Sequence, residues 1–191
     1  MKKSKKNILF SAIFVCFLIL IDQITKKLAV LFLKNKAPIP IIHDIFELRY
    51  LENQSAAFGM DPISLLHNIF SFSIFDENPQ LFLNVKMGFF IILTIAVVIL
   101  LCIVYIRIPS KKKFRYMDWI LIAFVAGAIG NFIDRVTNQY VIDFFYFKFI
   151  DFPIFNVADI YVAVAAFFMI VFGIFYYKEE DFEMIFPTNN K

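Results

Sequence analysis

Four apolar runs, at 8–33, 86–107, 118–137 and 157–177, constrain this chain more than any other feature. Crossing the hydrocarbon of a bilayer, about 30 Å thick, takes about 20 helical residues, and each run is of that length. Backbone amides in lipid must be satisfied within the segment, so such runs become helices. The expectation is an all-α membrane protein, one integral domain over 1–191, with four transmembrane helices. Composition agrees: 61% of the 191 residues are hydrophobic and 27 are Phe, with a mean hydropathy of +0.74. Three of the four runs nonetheless carry an aspartate, namely Asp22, Asp134 and Asp159, while Met87 to Ile106 has no charge. Ionisable groups at such positions are expensive and are functional by default.

Several classes of function are excluded at this stage. The net charge of +3 comes with lysines in short runs, which gives no broad basic face for nucleic acid. Cys16 and Cys102 lie far apart inside apolar runs and read as small buried hydrophobes. His43 and His67 fall outside the spans and form no metal motif, so neither metal nor cofactor is expected. Ser11 is alone in its span with no base nearby, which removes a serine nucleophile. Lys2, Lys3, Lys5 and Lys6 precede the first run like the start of a signal peptide, but no small-x-small cleavage site follows, so the run is expected to stay as helix one.

Lys and Arg concentrate in the N-terminus and in "RIPSKKKFRYMD", between runs two and three, and are sparse in 34–86 and 138–155. The positive-inside rule then places both termini in the cytoplasm and the sparse regions outside. On that topology Asp22, Asp134 and Asp159 all come near the outer face. Asn131 and Asp134 are three residues apart, as are Asn156 and Asp159, so each carboxylate shares a helix face with an amide. Gly127 and Gly130 on the same helix permit close packing. Each aspartate also has a plain structural reading. Asp159 is placed to cap helix four, Asp134 to pair with Arg135, and Asp22 with Lys26. Two carboxylates are the remaining catalytic pair. One, ionised, takes a proton from water while its protonated partner donates to a scissile carbonyl.

"GNFIDR" (130–135) and "FNVAD" (155–159) resemble the signature motifs of the bacterial lipoprotein signal peptidases, aspartic peptidases of the inner membrane. "DQITK" (22–26), "ENQSAAFG" (52–59) and "VIDF" (141–144) match in order, so the resemblance covers about 22–173. It implies removal of signal peptides from diacylglyceryl-modified prolipoproteins, cutting before the lipidated cysteine, in a multi-pass protein of the inner membrane. It places the catalytic aspartates on Asp134 and Asp159. Asp22, Lys26, Asn53, Asn131, Arg135, Asp143 and Asn156 become substrate-binding or site-supporting positions. Ser55 and Ala165 stand where the family usually has glycine. The expected partners are lipid-modified prolipoproteins and membrane lipids, with the enzyme a monomer. The competing reading is a small proton-coupled transporter or lipid-binding membrane protein, although no internal repeat of the kind transporters carry is found.

Residues 38–84 read as an outer platform. "IFELRYLEN" alternates as a half-exposed strand, matching a small β-platform implied by the resemblance. "PISLLHNIFSFSIF" is too short to span and reads as an interfacial segment or a hydrophobic loop packed on the platform. Residues 178–191, rich in Glu and Asp, read as a solvated cytoplasmic tail.

Overall fold

The computed structural model describes residues 3–55 and 61–186 of the chain. Among the described residues, four helices are long and apolar enough to cross a membrane: α1 (Lys5–Leu33), α4 (Pro79–Arg107), α5 (Arg115–Asn138) and α6 (Val157–Phe175). The outer region supplies β1 (Ile39–Ile42), β2 (Phe46–Asn53), and the short helices α2 (Pro62–Phe70) and α3 (Ser73–Glu77). β3 (Val141–Phe147) lies between α5 and α6, and α7 (Glu179–Ile185) ends the described chain.

Helix α5 is the centre of the bundle. It buries nine residues, against four in α1, three in α4 and two in α6. The outer faces of α1, α4 and α6 carry Leu, Ile and Phe side chains exposed in the bare protein, as lipid-facing helices should. Cys16 and Cys102 are on this exposed surface rather than buried, both lining one apolar cleft between α1, α4 and α5.

Close packing of α5 depends on its two glycines. A Cβ at Gly127 would sit 2.5 Å from the Ala158 carbonyl oxygen and 2.7 Å from Val162 Cγ2. One at Gly130 would sit 2.6 Å from Asp22 Oδ2 and 3.1 Å from Ala158 Cβ. Gly127 therefore lets α6 close onto α5, and Gly130 lets α1 do so.

The three strands form one antiparallel sheet in the order β1-β2-β3 at the end of the bundle where α1 and α5 finish and α6 starts. Gln139 adopts a left-handed conformation (φ 64°) and its N–H closes on the Arg135 carbonyl, a C-terminal stop that turns the chain back into β3. Period-two alternation then divides the strand. Ile142 and Phe144 pack with Ala29 and Leu33 of α1, while Val141 and Asp143 face a cavity against α6.

Two features differ from the sequence reading, the start of α4 and the tail, and the helix after Asp61 gives the interfacial segment its form. Helix α4 starts at Pro79, before the apolar run begins at 86, because Gln80 and Asn84 are satisfied by each other and by Gln139, and buried Lys86 pairs with Asp61. The segment after Asp61 is helical, its Asp61 cap accepting from Ser64 N, and it displays Leu65, Leu66, Ile69 and Phe70 on its surface. The tail is not simply solvated. Its α7 folds back so that Ile185 and Tyr177 join Ile108, Phe114, Met117 and Leu121 in a second core, secured by a Lys113–Asp181 ion pair. Counting acidic residues misses this, because Asp181, in the first turn of α7, is itself buried and caps the helix start by accepting from Lys178 N.

Gly127→Ala and Gly130→Ala are each expected to lower unfolding stability in detergent by about 1–3 kcal/mol, the usual cost of overpacking. Gly88→Ala and Gly173→Ala, whose added Cβ meets open space, should not. Thermal unfolding of the four variants measures the contrast.

Candidate active site

Two consecutive helical turns of α1 bring Asp22 and Lys26 onto one face. In the bundle they are 0% and 1% exposed, and Asp134 of α5 is 2% exposed. The Lys26 ammonium has three donors and three acceptors: Asp22 Oδ2 at 3.0 Å, Asp134 Oδ2 at 3.1 Å and Asn131 Oδ1 at 2.9 Å. A lone buried charge would be prohibitive in this setting, and the full set of partners is what makes this one tolerable.

Each carboxylate of this cluster also ties down backbone. Asp22 Oδ1 accepts from Ala158 N (2.9 Å), one of the otherwise unpaired amides at the start of α6. Asp134 Oδ2 accepts from Ile142 N (3.0 Å), which anchors β3. Gln23 donates to Asp134 Oδ1 (3.1 Å), to Asp22 Oδ2 (3.2 Å) and to the Gly130 carbonyl (3.2 Å). Gln23 escaped the sequence reading; its only signal was a polar residue beside Asp22 in an apolar run.

A cavity of about 130 Å³ opens beside this cluster, lined by Asn53, Asn131, Arg135, Val141, Asp143 and Asp159, with the 152–155 loop and the apolar face of α6 completing it. Asp143 and Asp159 are the carboxylates in its wall; Asp134 is not part of it. Both are held by Asn156. Its side-chain amide donates to Asp143 Oδ1 (2.6 Å) and its backbone N–H to Asp159 Oδ2 (3.1 Å). The second oxygen of each pair is fixed as well, Asp143 Oδ2 by Asn53 (2.7 Å) and Asp159 Oδ1 by Asn131 (2.8 Å).

The three asparagines cannot flip without breaking a second bond. Asn53 Oδ1 accepts from Ser55 N, Asn156 Oδ1 from Asp159 N, and Asn131 Oδ1 from both Lys26 and the Asn156 amide. Their N–H groups are thereby aimed at the two carboxyls. Arg135 donates to the Ser55 carbonyl (3.1 Å) and lies over the Phe90 ring, so it braces the outer segment instead of pairing with Asp134. Residues 56–59 of the outer motif lie outside the described residues.

The sequence expectation and the geometry part at one residue. Asp134 and Asp159 do not form a pair: the Lys26 ammonium and the Asn131 amide stand between them, and both Asp134 oxygens are consumed by Lys26, Gln23 and Ile142 N. Asp134 is thus neutralised by Lys26 and lies outside the cavity, whereas Asp143 and Asp159, whose oxygens are also hydrogen-bonded, line it. Asp143, read from sequence as a supporting residue, instead shares the cavity with Asp159. Burial, then the neighbouring Asp159 charge, pushes the Asp143 carboxyl up to about 7. Asp159 also completes a capping box with Asn156, so its structural reading and its place in the cavity hold together.

The raised Asp143 pKa has a stability consequence with a definite sign. Native protein holds this proton up to about pH 7 while the unfolded chain loses it near the ordinary aspartate value of 3.8, so the group's ionisation costs stability progressively as pH rises between those values. Asp143→Asn removes that cost. The stability of the variant relative to wild type should climb from pH 4 to pH 7 and then level off, on top of a constant offset from altered hydrogen bonds. Unfolding in detergent across this range measures it, and a pH-independent difference would count against a native-state proton on Asp143.

Comparison with known proteins gives a consistent result. The sequence matches the family model described as Signal peptidase (SPase) II over residues 14–175. It is 38% identical over 155 residues to a lipoprotein signal peptidase of Caldanaerobacter subterraneus subsp. tengcongensis, covering 81% of this chain and 88% of the relative. Against a protein of the same name from Clostridium tetani it is 34% identical over 168 residues, covering 86% and 90%. A bacterial membrane enzyme solved by the in meso method at 1.9 Å resolution superposes with a TM-score of 0.67 at 28% identity, covering 92% of this chain and 98% of that one.

Proposed function

The chain belongs to the signal peptidase II family, and from that premise we propose that Asp143 and Asp159 are its catalytic dyad, with Asp134 a structural anchor. It is a membrane aspartic endopeptidase that removes signal peptides from prolipoproteins. The observation that carries the dyad is the shared cavity: two carboxyls, oriented by one asparagine, in a wall that Asp134 does not reach. Nothing in the comparisons favours the transporter reading.

In the reaction, one carboxyl of the pair is ionised and the other protonated, since two like charges so placed cannot both ionise cheaply. The ionised carboxylate takes a proton from a water whose oxygen attacks the scissile carbonyl carbon. The protonated partner gives its proton to the carbonyl oxygen, forming a gem-diol. The carboxyl that took the proton from water then gives it to the nitrogen while a gem-diol hydroxyl returns its proton to the partner carboxylate, so the carbonyl re-forms, the C–N bond breaks and the signal peptide is released from the new N-terminal cysteine. The apolar side of the cavity, Val162, Ala163 and Ala166 of α6, suits the hydrophobic end of a signal peptide. The substrate is the diacylglyceryl-modified form, cut before its lipidated cysteine. The exposed apolar face of α2 fits a membrane surface, and its residues Leu65, Leu66, Ile69 and Phe70 are placed to contact lipid.

The basic end of the bundle, with Lys5, Lys6, Arg107 and Lys111 to Lys113, faces the cytoplasm of a bacterial inner membrane, and the sheet end with the cavity faces outward. The enzyme acts as a monomer on this reading, one chain being by itself sufficient to give every dyad oxygen a donor.

Two outcomes are expected. Purified enzyme should cut a lipidated prolipoprotein and leave the unlipidated precursor intact, by mass determination of products. Asp143→Asn and Asp159→Asn should each lower kcat by at least about 10⁴-fold, with the double variant hardly worse, as residues acting as a unit are non-additive. Asp134→Asn should retain measurable turnover in its folded fraction. Full loss in folded Asp134→Asn with activity kept in Asp143→Asn would return the dyad to Asp134 and Asp159. For orientation, with Cys16 and Cys102 replaced by Ala, Glu77→Cys should react with an impermeant thiol reagent added outside cells and Lys112→Cys should not.

A further inference from the structure

The dyad is not symmetric in its surroundings, and the asymmetry leads to α1. Asp143 is 1% exposed and takes its bonds from two neutral amides, Asn53 and Asn156. Asp159 is half-buried, open to the cavity, and takes one bond from Asn131. That amide differs from the other two, because its oxygen is bound by a cation: Lys26 Nζ at 2.9 Å. A positive charge on an amide oxygen draws electron density from the nitrogen and strengthens its N–H as a donor, the cooperative polarisation expected of hydrogen-bond chains in a low dielectric.

We infer that Lys26, acting through Asn131, is the positioning residue that makes Asp159 the ionised, water-activating member of the dyad and leaves the proton on Asp143. The inference rests on the dyad reading above and adds a direction to it. Lys26 touches neither carboxyl of the pair and is sealed from the cavity, so it acts through the amide and not on substrate.

The charged groups around this path come from every element packed on it. Asp22 lies on α1, Asp134 and Arg135 on α5, Asp143 on β3 and Asp159 on α6. Asp22 and Asp134 hold the ammonium in place but are directed at it and at backbone amides, away from the dyad. Arg135 is the second cation of the cavity wall and bonds the Ser55 carbonyl. It is unchanged in the variants below, so its contribution cancels.

A purely structural lysine predicts something different. It would neutralise Asp22 and Asp134, and its loss would lower stability while the surviving folded enzyme kept its pH profile. The comparison is Asp22→Asn against Asp22→Asn/Lys26→Met, which removes the cation together with one of its anions and so leaves less uncompensated charge. In the folded fraction, cleavage of lipidated precursor should show its acid limb moved up by at least about one pH unit, the effect of losing an opposite charge near a carboxylate. The kcat should fall at least about tenfold at neutral pH with KM little changed. Asn131→Ala leaves the ion pairs of Lys26 standing and should give the same shift. Lys26→Met added to Asn131→Ala and Asp22→Asn should move the profile no further. Superimposable pH profiles for the first pair, an unshifted Asn131→Ala, or additive shifts would each overturn the relay. If the double variant does not fold, Asp22→Asn/Lys26→Gln, whose neutral amide can still bond Asn131, takes its place against Asp22→Asn with the same expected shift. Failure of wild-type enzyme to cut the lipidated precursor would instead remove the peptidase reading, a result separate from any of these.

Discussion

A single ammonium inside an apolar bundle governs how these helices can meet. Lys26 has three acceptors within 3.1 Å, drawn from α1 and α5, and its two carboxylate partners in turn hold the first turn of α6 and the start of β3. Helix–helix association in lipid gains little from hydrophobic burial, since the tails are as apolar as the side chains. Polar contacts and close backbone approach have to supply specificity, and here they coincide. Gly130 lies where Asp22 comes closest to α5, so the glycine and the ion cluster are parts of one packing solution.

From that cluster the order of the site follows. The anchored Ala158 N–H fixes the register of α6 relative to α1, and Asn156 and Asp159 one turn around it are thereby aimed at α5 and β3. Ile142 N, bound to Asp134, fixes the register of β3, which puts Asp143 on the face opposite Ile142 and Phe144. The two cavity carboxyls thus belong to elements that are each located by a different oxygen of the same buried network. Asp134 is costly to bury, and on the proposed reading its part is to hold the strand through Ile142 N.

Much of this was legible in the chain. The apolar runs gave the four spanning helices, the alternation at 46–53 gave β2, and the Asn-x-x-Asp spacing at 156–159 gave the capping box. Helical periodicity could place Asp134 and Asp159 at similar depth, yet depth is not direction. Which way Asp134 points is decided by Lys26 and Gln23 on a helix over 100 residues away in sequence. The place of Asp143 in the cavity wall was hidden for a related reason. The residue lies outside the spans, where an aspartate is ordinary, and only the left-handed stop at Gln139 turns its strand back over the helix ends. The fold of α7 was hidden by composition, because the acidic residues that suggested a solvated tail include its buried cap.

Separating anchoring carboxylates from reacting ones also explains why so many ionisable groups sit at one level of a small membrane protein. A dyad needs a low-dielectric wall so that one proton is shared, but the same low dielectric penalises any movement that exposes an unpaired charge. Rigid amides answer both demands. Asn53, Asn131 and Asn156 carry no charge of their own, each has its orientation fixed by a second bond, and together they present donors to all four dyad oxygens. Charge is kept one layer further back, on Lys26, which bonds the Asn131 oxygen and does not line the cavity. A membrane peptidase built this way keeps its ion cluster sealed while two carboxyls line the cavity.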